Sequence, residues 1–446
     1  MTENMATKKM RAGNSYANGS VSVPGAIHKK ESMFPFYLVL GFLFFEYGRP
    51  QSLIPFLRYL HLPALIVILL GLSLVTTGKM YLKDRQTVLF LLFIGEMVLH
   101  GPLAVNNYWA FQVFYWMTVT FLAYIAIVNI VDNDFKYQKL IKFWLAIYIF
   151  VAIIGVFYRG RGVGGFLGDE NDFCMALNMI LPFALFGAIS ARKGNEKIYF
   201  FFLILLFLFV VILTQSRGGF VGLASVSIYC WLRSNRKIIL GVLMGFLVGF
   251  ALLIAPPSYW NEVRSISTEN TESNPWGTGA QRMYSWNIGW NMFLDHPVIG
   301  VGQGNYPWNV ERIENKLGVQ WHERSLAGRA AHSLYFTLLP ELGVIGVVLY
   351  GAMIFFTLKD LNYIKKAAKT RKDLFPGEES KKLYYLALAL EGSLVAFLAS
   401  SVFISTLYYP NFWILCGFVV SLKKVTYAKC GDMTFVPKKL AIKVVK

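Results

Sequence analysis

The sequence predicts an all-α, polytopic integral membrane protein with about 12 transmembrane helices and one large periplasmic loop. Two observations carry this prediction. The 446 residues are 56% hydrophobic and only 15% charged, whereas an ordinary soluble domain has about 25% charged residues. The apolar residues also form long blocks, many of them close to the roughly 20 residues that a helix needs to cross a bilayer. A soluble globular enzyme, a disordered chain and a collagen-like fibre are therefore excluded.

Twelve apolar blocks can be recognised, although the last two are close together. If Ser400 and Ser401 only kink one helix, eleven spans are the alternative. The blocks are Phe34–Tyr47, Leu62–Thr76, Thr87–Val105, Trp109–Val131, Leu140–Phe157, Phe173–Ser190, Ile198–Leu213, Phe220–Leu232, Ile238–Ala255, Leu334–Leu358, Leu383–Ser401 and Ile404–Ser421.

The distribution of charge favours twelve spans with both termini in the cytoplasm. In that topology 32 of the 43 basic residues fall on cytoplasmic segments, as the positive-inside rule requires. Eleven spans would leave the basic C-terminal tail outside. The same rule explains the net charge of +18 without a nucleic-acid partner. The four cysteines are scattered, which supports neither a disulfide framework nor a zinc site.

These patterns divide the chain into five predicted regions. They are a disordered cytoplasmic tail (1–32), nine transmembrane helices (33–255), a periplasmic loop with an amphipathic helix (256–331), three transmembrane helices (332–422) and a basic cytoplasmic tail (423–446).

The basic residues assigned to the outer face are almost all arginine. Ten of the eleven are Arg, among them Arg49, Arg159 and Arg161, and the exception is Lys316. Orientation alone would not sort Arg from Lys, but planar, bidentate recognition of phosphate or carboxylate favours Arg. An outer site for an anionic group is therefore predicted. Chance combined with snorkelling at the membrane edge is the alternative.

The long outer loop contains a predicted helix from Gln281 to Asp295, which Pro297 ends. Its apolar face lies either in the lipid headgroup layer or against the helix bundle. Arg282 stands at its start. The glycine run from Gly300 to Gly304 lacks a surrounding βαβ unit, so a tight turn is favoured over a dinucleotide site. The apolar face consists of Met283, Trp286, Trp290 and Phe293, spaced at three, four and three residues.

His332 is predicted in the first turn of the tenth span, at the outer interface. The partial positive charge of a helix N-terminus disfavours imidazolium, so a neutral ring could accept a proton. A packing or capping role is the alternative. Glu341 follows nine residues later, about half a revolution around the helix, and should not touch His332. It is either a functional intramembrane carboxylate or a structural one.

Two further segments carry candidate site residues. The turn Gln215–Gly219 joins two spans and leaves Arg217 little freedom at the membrane surface, which suits a phosphate. The acidic run Asp169–Asp172 includes Asn171 and precedes the sixth span. It could bind a divalent ion or orient a substrate, whereas helix capping by Asp172 is the simpler interpretation.

From Arg282 to Gly346 the sequence resembles the O-antigen ligase and O-antigen (Wzy-type) polymerase superfamily. The resembling residues are Arg282, Trp286, Pro297, Gly300, Gly302, Gly304, His332, Ser333, Glu341, Gly343 and Gly346, and the Ser216-Arg217-Gly218 turn is a second match. The segments EYGRPQSLIP and GDENDF are similar to a subgroup linked to exopolysaccharide and exosortase clusters.

The resemblance implies a C-type membrane glycosyltransferase of the bacterial inner membrane. Such an enzyme takes a glycan from undecaprenyl diphosphate at the periplasmic face and passes it to an acceptor hydroxyl, without a metal or other cofactor. By this likeness Arg217 and Arg282 bind the diphosphate and His332 acts at the acceptor. Arg49, Arg159, Arg161, Asp169, Asn171 and Glu341 are expected to support the site or the acceptor.

The acceptor stays open at this stage. A ligase would use lipid A-core, a polymerase would use a second lipid-linked glycan, and a protein O-oligosaccharyltransferase would use Ser or Thr. Ligase is ranked first. A lipid-linked glycan flippase is the alternative from another class, but transporters place their polar residues near the membrane midplane, and here they are concentrated at one face.

Overall fold

The computed structural model describes residues 32–78, 80–235 and 278–431, with scattered positions between 236 and 250. Within these ranges the chain is helical and has no β-strand beyond one isolated bridge between Trp321 and Arg324. The helices are α1 (Phe34–Leu43), α2 (Pro50–Leu53), α3 (Pro55–Tyr59), α4 (Leu62–Thr77), α5 (Arg85–His100), α6 (Asn107–Ile130), α7 (Asp134–Phe157), α8 (Glu170–Ser190), α9 (Gly194–Leu213), α10 (Arg217–Arg233), α11 (Thr278–Asp295), α12 (Tyr306–Leu317), α13 (Tyr335–Thr370), α14 (Glu378–Ser400) and α15 (Pro410–Lys429).

Six of these helices, α6 to α9, α13 and α14, are long and apolar enough to cross a membrane. Shorter apolar helices occupy Phe34–Gly48 and Leu62–Thr76. This is the architecture of a multi-pass membrane protein, and the all-α prediction is confirmed over the described residues. The count of twelve spans, the sides of the membrane and the five-region division stay predictions.

The predicted apolar blocks can be compared with the helices one by one. Eleven of the twelve coincide with helices, whereas the ninth, Ile238–Ala255, lies almost entirely outside the described residues. The two terminal tails and the first part of the long loop, residues 256–277, also lie outside them. The last two blocks are separate helices rather than one kinked helix, because residues 401–409 form a non-helical turn. The predicted start of the last block at Ile404 was wrong, since α15 begins at Pro410.

Helix α10 lies unusually close to its neighbours α8 and α14. A methyl group on Gly219 would stand 2.2 Å from the Cys174 sulfur, and one on Gly222 would stand 2.0 Å from the Ser400 hydroxyl. Small residues at helix contacts allow such close approach in membrane proteins. The packing fixes the first turn of α10, which carries Arg217.

Helix α13 is interrupted at Gly343, whose φ of 59° and ψ of −159° are not helical. The backbone groups that the interruption frees pair with the preceding loop. Four hydrogen bonds of 2.8 to 3.3 Å join residues 340–345 to residues 297–302. The loop therefore supplies hydrogen bonds that a continuous helix would have made within itself.

The glycine run forms the turn predicted for it, because Gly300, Gly302 and Gly304 all have positive φ. Its amide groups bind a carboxylate of the same chain. Glu341, buried on α13, accepts hydrogen bonds from the N–H groups of Gly304 at 2.7 Å and Tyr306 at 2.9 Å. This geometry ties the loop to the helix bundle.

Helices α11 and α12 share a small core of their own. Ile288 and Met292 on α11 are fully buried with Val310 and Ile313 of α12. The predicted four-residue face of α11 is divided. Trp286 stacks on Phe336 with ring centroids 5.1 Å apart, whereas Met283 and Trp290 are exposed. The buried face of α11, with Ile288 and Met292, lies beside these aromatic positions, so the spacing of the aromatic residues did not predict it.

Candidate active site

A cavity of about 500 Å³ opens where several helices begin. Its walls come from the first turns of α8, α10 and α11, from the segment before α13, and from the turn before α15. The structure brings together five of the residues that the sequence singled out, although they are separated by up to 163 positions in the chain. These residues are Asp169, Asn171, Arg217, Arg282 and His332.

The cavity has a positive electrostatic contribution from the backbone as well as from side chains. Helices α8 and α10 start at its wall, and α15 starts directly after the lining residue Tyr409. Helix N-termini carry unpaired N–H groups and partial positive charge. Together with Arg217 and Arg282, the start of α10 favours an anionic ligand such as a phosphate group, whereas acidic side chains at the start of α8 offset its positive charge.

Arg217 is placed by a three-residue turn between α9 and α10. Gln215 in this turn has a φ of 51°, a left-handed conformation that is uncommon for residues other than glycine. The Ser216 hydroxyl caps α10 by accepting from the Gly219 N–H at 2.9 Å, and it donates to the Asn171 side-chain oxygen at 2.7 Å. Asn171 thus links the starts of α8 and α10 and helps to fix Arg217.

Arg282, in the first part of α11, is oriented by aromatic contacts. Its guanidinium lies 5.7 Å from the centre of the Phe403 ring, within the range of a cation–π interaction. Trp286, one turn further along, donates from its indole N–H to the carbonyl oxygen of Ala331 at 3.1 Å. One helix therefore positions both Arg282 and the residue preceding His332.

His332 lies three residues before the start of α13 rather than in its first turn, so this detail of the sequence prediction was wrong. Its φ is 50°, a left-handed conformation of the kind often found at functional sites. Partial desolvation lowers the pKa of His332, although the residue is exposed at the cavity. The positive charges of Arg282 and Arg329 lower it further against the opposing effect of Asp169. The imidazole is therefore neutral near pH 7 and able to accept a proton.

The acidic run is organised differently from the prediction. Asp169, not Asp172, caps α8, because its backbone is extended and its carboxylate accepts from the Asn171 N–H at 2.8 Å. Glu170 pairs with Arg161 at 3.0 Å. Asp172 is buried in the first turn and accepts from the Tyr409 hydroxyl at 2.9 Å. In the described part of the chain, no three His, Cys, Asp or Glu side chains are arranged to hold a metal ion.

Four predicted supporting residues do not line the cavity. Arg161 reaches it only through Glu170. Arg49 lies 5.9 Å from the centre of the Phe166 ring, behind the cavity wall, and Arg159 is exposed beyond the end of α7. Glu341 binds the glycine turn and accepts from the Tyr408 hydroxyl at 2.6 Å, so its contacts are structural.

Arg329, Phe403 and Tyr409 also line the cavity but were not among the predicted site residues. Arg329 lines it, and its position three residues before His332 was the available signal. Phe403 and Tyr409 come from the turn between α14 and α15. Tyr409 was assigned to the predicted twelfth span, and Phe403 fell in the short gap before it.

Comparison with known proteins gives two matches. Residues 201–351 match the family model described as O-antigen ligase, and this stretch contains Arg217, Arg282 and His332. A protein of Rickettsia felis named "Putative polysaccharide ligase" is 22% identical over 222 residues, which are 49% of this chain and 50% of that protein. The matched region thus spans about half the length of this curated relative. Residues 201–351 are therefore similar to the O-antigen ligase family, and the resemblance found in the sequence is confirmed.

Proposed function

We propose that the protein is an O-antigen ligase-like glycosyltransferase of the bacterial inner membrane. It transfers a glycan from undecaprenyl diphosphate to an acceptor hydroxyl at the periplasmic face, with lipid A-core as the first-ranked acceptor. The observation that carries the proposal is the single cavity that joins Arg217, Arg282 and a neutral His332.

The proposed reaction uses these three side chains in two roles. Arg217, Arg282 and the N-terminus of α10 bind the diphosphate and stabilise the negative charge that develops as it leaves. His332 accepts the proton of the attacking hydroxyl. The new bond forms between the acceptor oxygen and the anomeric carbon, and the bond from that carbon to the diphosphate oxygen breaks. Undecaprenyl diphosphate is released, and no cofactor takes part.

Attack from the face opposite the leaving group would invert the anomeric configuration. We therefore expect a product whose new linkage has the opposite configuration to that of the donor. Nuclear magnetic resonance of the product would establish the linkage, and retention of the donor's configuration would contradict a single displacement.

The other acceptors share the donor half of this mechanism. A polymerase would bind a second lipid-linked glycan, and a protein O-oligosaccharyltransferase would bind a Ser or Thr side chain. A flippase is disfavoured by the placement of the charged cavity at the ends of helices rather than half-way along them.

The test is reconstitution of the full-length protein with an undecaprenyl diphosphate-linked glycan, with and without lipid A-core, in the presence of EDTA. We expect a product only with lipid A-core, and its loss in His332→Ala. His296→Ala, which changes a histidine outside the cavity, is the matched control and should be active. Chain growth on the donor alone would indicate a polymerase. Absence of any product from folded wild-type protein would contradict the proposal.

A further inference from the structure

Asp172 has a buried oxygen atom without a hydrogen-bond partner among the described residues. The residue is only 6% exposed, yet it lines the cavity. Its Oδ2 accepts from the Tyr409 hydroxyl at 2.9 Å, whereas its Oδ1 makes no hydrogen bond with any described residue. A buried carboxylate oxygen without a hydrogen bond is costly. A ligand group that reaches Oδ1 from the cavity would remove this cost.

Tyr409 is held in place by aromatic packing. It immediately precedes α15, and its ring lies 5.6 Å from that of Phe166. Phe166 in turn packs edge-on against the buried Tyr47 at 5.6 Å and lies beside the Arg49 guanidinium. The Tyr409 hydroxyl is therefore fixed, and it fixes the carboxylate of Asp172 before any substrate binds.

The surroundings of Asp172 define the kind of ligand. An ionised carboxylate oxygen can only accept a hydrogen bond, so the ionised form of Asp172 requires a donor as its partner. Asp169 and Glu170 lie in the same helical turn and make this part of the cavity negative, which disfavours a phosphate group. No basic side chain among the described residues forms an ion pair with Asp172. A neutral hydroxyl group, abundant in sugars, fits these conditions.

We propose that Asp172, positioned by Tyr409, binds a non-reacting hydroxyl group of the acceptor sugar and so orients the acceptor in the cavity. This inference rests on the proposed function. It divides the cavity between two substrates, with the anionic donor at Arg217 and Arg282 and the neutral acceptor at Asp172. The proton of the reacting hydroxyl still goes to His332.

The variant Asp172→Asn tests this assignment directly. Its amide oxygen can still accept from Tyr409, but an NH₂ donor replaces the unpartnered acceptor atom. With lipid A-core as the acceptor, we expect its KM to rise at least about tenfold, the factor that corresponds to loss of one hydrogen bond to a charged group. The KM for the lipid-linked donor and kcat should stay close to wild type.

Two further variants make the result specific. Asp134→Asn is the matched control, because Asp134 also lies in the first turn of a long helix but is exposed and does not line the cavity. Its acceptor KM should be near that of wild type. Tyr409→Phe removes only the hydroxyl group that holds Asp172 and should raise the acceptor KM by a smaller factor. It also provides the readout if Asp172→Asn does not fold.

An unchanged acceptor KM in both Asp172→Asn and Tyr409→Phe would overturn the inference. A fall in kcat at unchanged KM would also overturn it, because Asp172 would then act in the chemical step. Failure of the proposed function is seen separately as wild-type protein that transfers no glycan. In that case the affinity for lipid A-core is measured in the absence of donor. Equal affinities of wild type and Asp172→Asn would refute the assignment of Asp172 to the acceptor.

Discussion

At the scale of single residues, the geometry of Arg217 matters more than its charge. A guanidinium group offers a rigid, planar set of donors that matches two phosphate oxygens, whereas an ammonium group is a point charge. We expect Arg217→Lys to lower the transfer rate by about 100-fold, as for loss of one donor to a developing charge.

The measurement is the initial rate of transfer from the lipid-linked donor at saturating acceptor. Arg312→Lys is the matched control, because Arg312 is exposed on α12 and does not line the cavity. Near-normal turnover by Arg217→Lys would show that Arg217 does not bind the diphosphate.

The pKa of His332 gives a second prediction at this scale. Because burial and the neighbouring arginines lower it, the neutral base persists below the pH at which an ordinary histidine becomes protonated. The rate should therefore stay level down to that pH and fall only as the pH drops through the lowered pKa.

Arg329→Gln removes one of the positive charges that lower this pKa. The acid limb of the pH–rate profile should then move to higher pH, and Arg312→Gln should leave it unchanged. A limb that does not respond to Arg329→Gln would show that another group titrates there.

Residue-scale reasoning named side chains that the structure places close together, and their roles stay predictions. Arg217, Arg282 and His332 were named from the sequence and lie around one cavity. The capping residue of α8 was misassigned because capping depends on which residue has an extended backbone, and the sequence offered both Asp169 and Asp172. Tyr409 was missed because its partner Asp172 lies 237 positions away.

At the scale of elements, the contact between the glycine turn and α13 can be tested with two glycines of similar conformation. Gly300 and Gly318 both have positive φ, at 74° and 64°. A Cβ on Gly300 would lie 2.4 Å from the backbone of Glu341, whereas one on Gly318 would meet nothing within 4 Å.

Gly318→Ala should therefore cost only the left-handed conformation, about 1–2 kcal/mol. Gly300→Ala adds a clash with backbone and should lower the thermal unfolding temperature clearly more. The comparison is made on purified protein in one detergent. Equal shifts of the two variants would show that the turn is not pressed against α13 as described.

Hydrophobic patterning predicted the helices well because a membrane span must be long and apolar. It could not show the interruption of α13 at Gly343 or the turn of residues 401–409. Both are as apolar as the helices beside them, and both depend on hydrogen bonds to segments that are distant in the chain.

At the scale of the whole molecule, the charge distribution predicts which end of the bundle carries the cavity. Glu323 belongs to the long loop and Lys372 to the connection between α13 and α14, so the two should lie on opposite sides of the membrane. Cys430 is first replaced by serine, because the other three cysteines are buried and should not react with a maleimide.

We expect an impermeant maleimide to label Glu323→Cys in intact spheroplasts, and Lys372→Cys only after lysis. The reverse labelling pattern would show that the topology is the opposite one, with the cavity on the cytoplasmic side. The sequence could predict this orientation because the positive-inside rule depends on composition alone, but the cavity itself requires the folded chain.

The interruption of α13 has a consequence for how the protein matures. Residues 340–345 obtain their backbone hydrogen bonds from residues 297–302, which belong to the long loop. A newly inserted α13 would leave these groups unpaired in lipid, which is costly, until the loop has crossed the membrane and docked. Because His332 lies between the loop and α13, the active cavity is completed in that last step. Under the proposed function and topology, a half-translocated chain would therefore hold no working site.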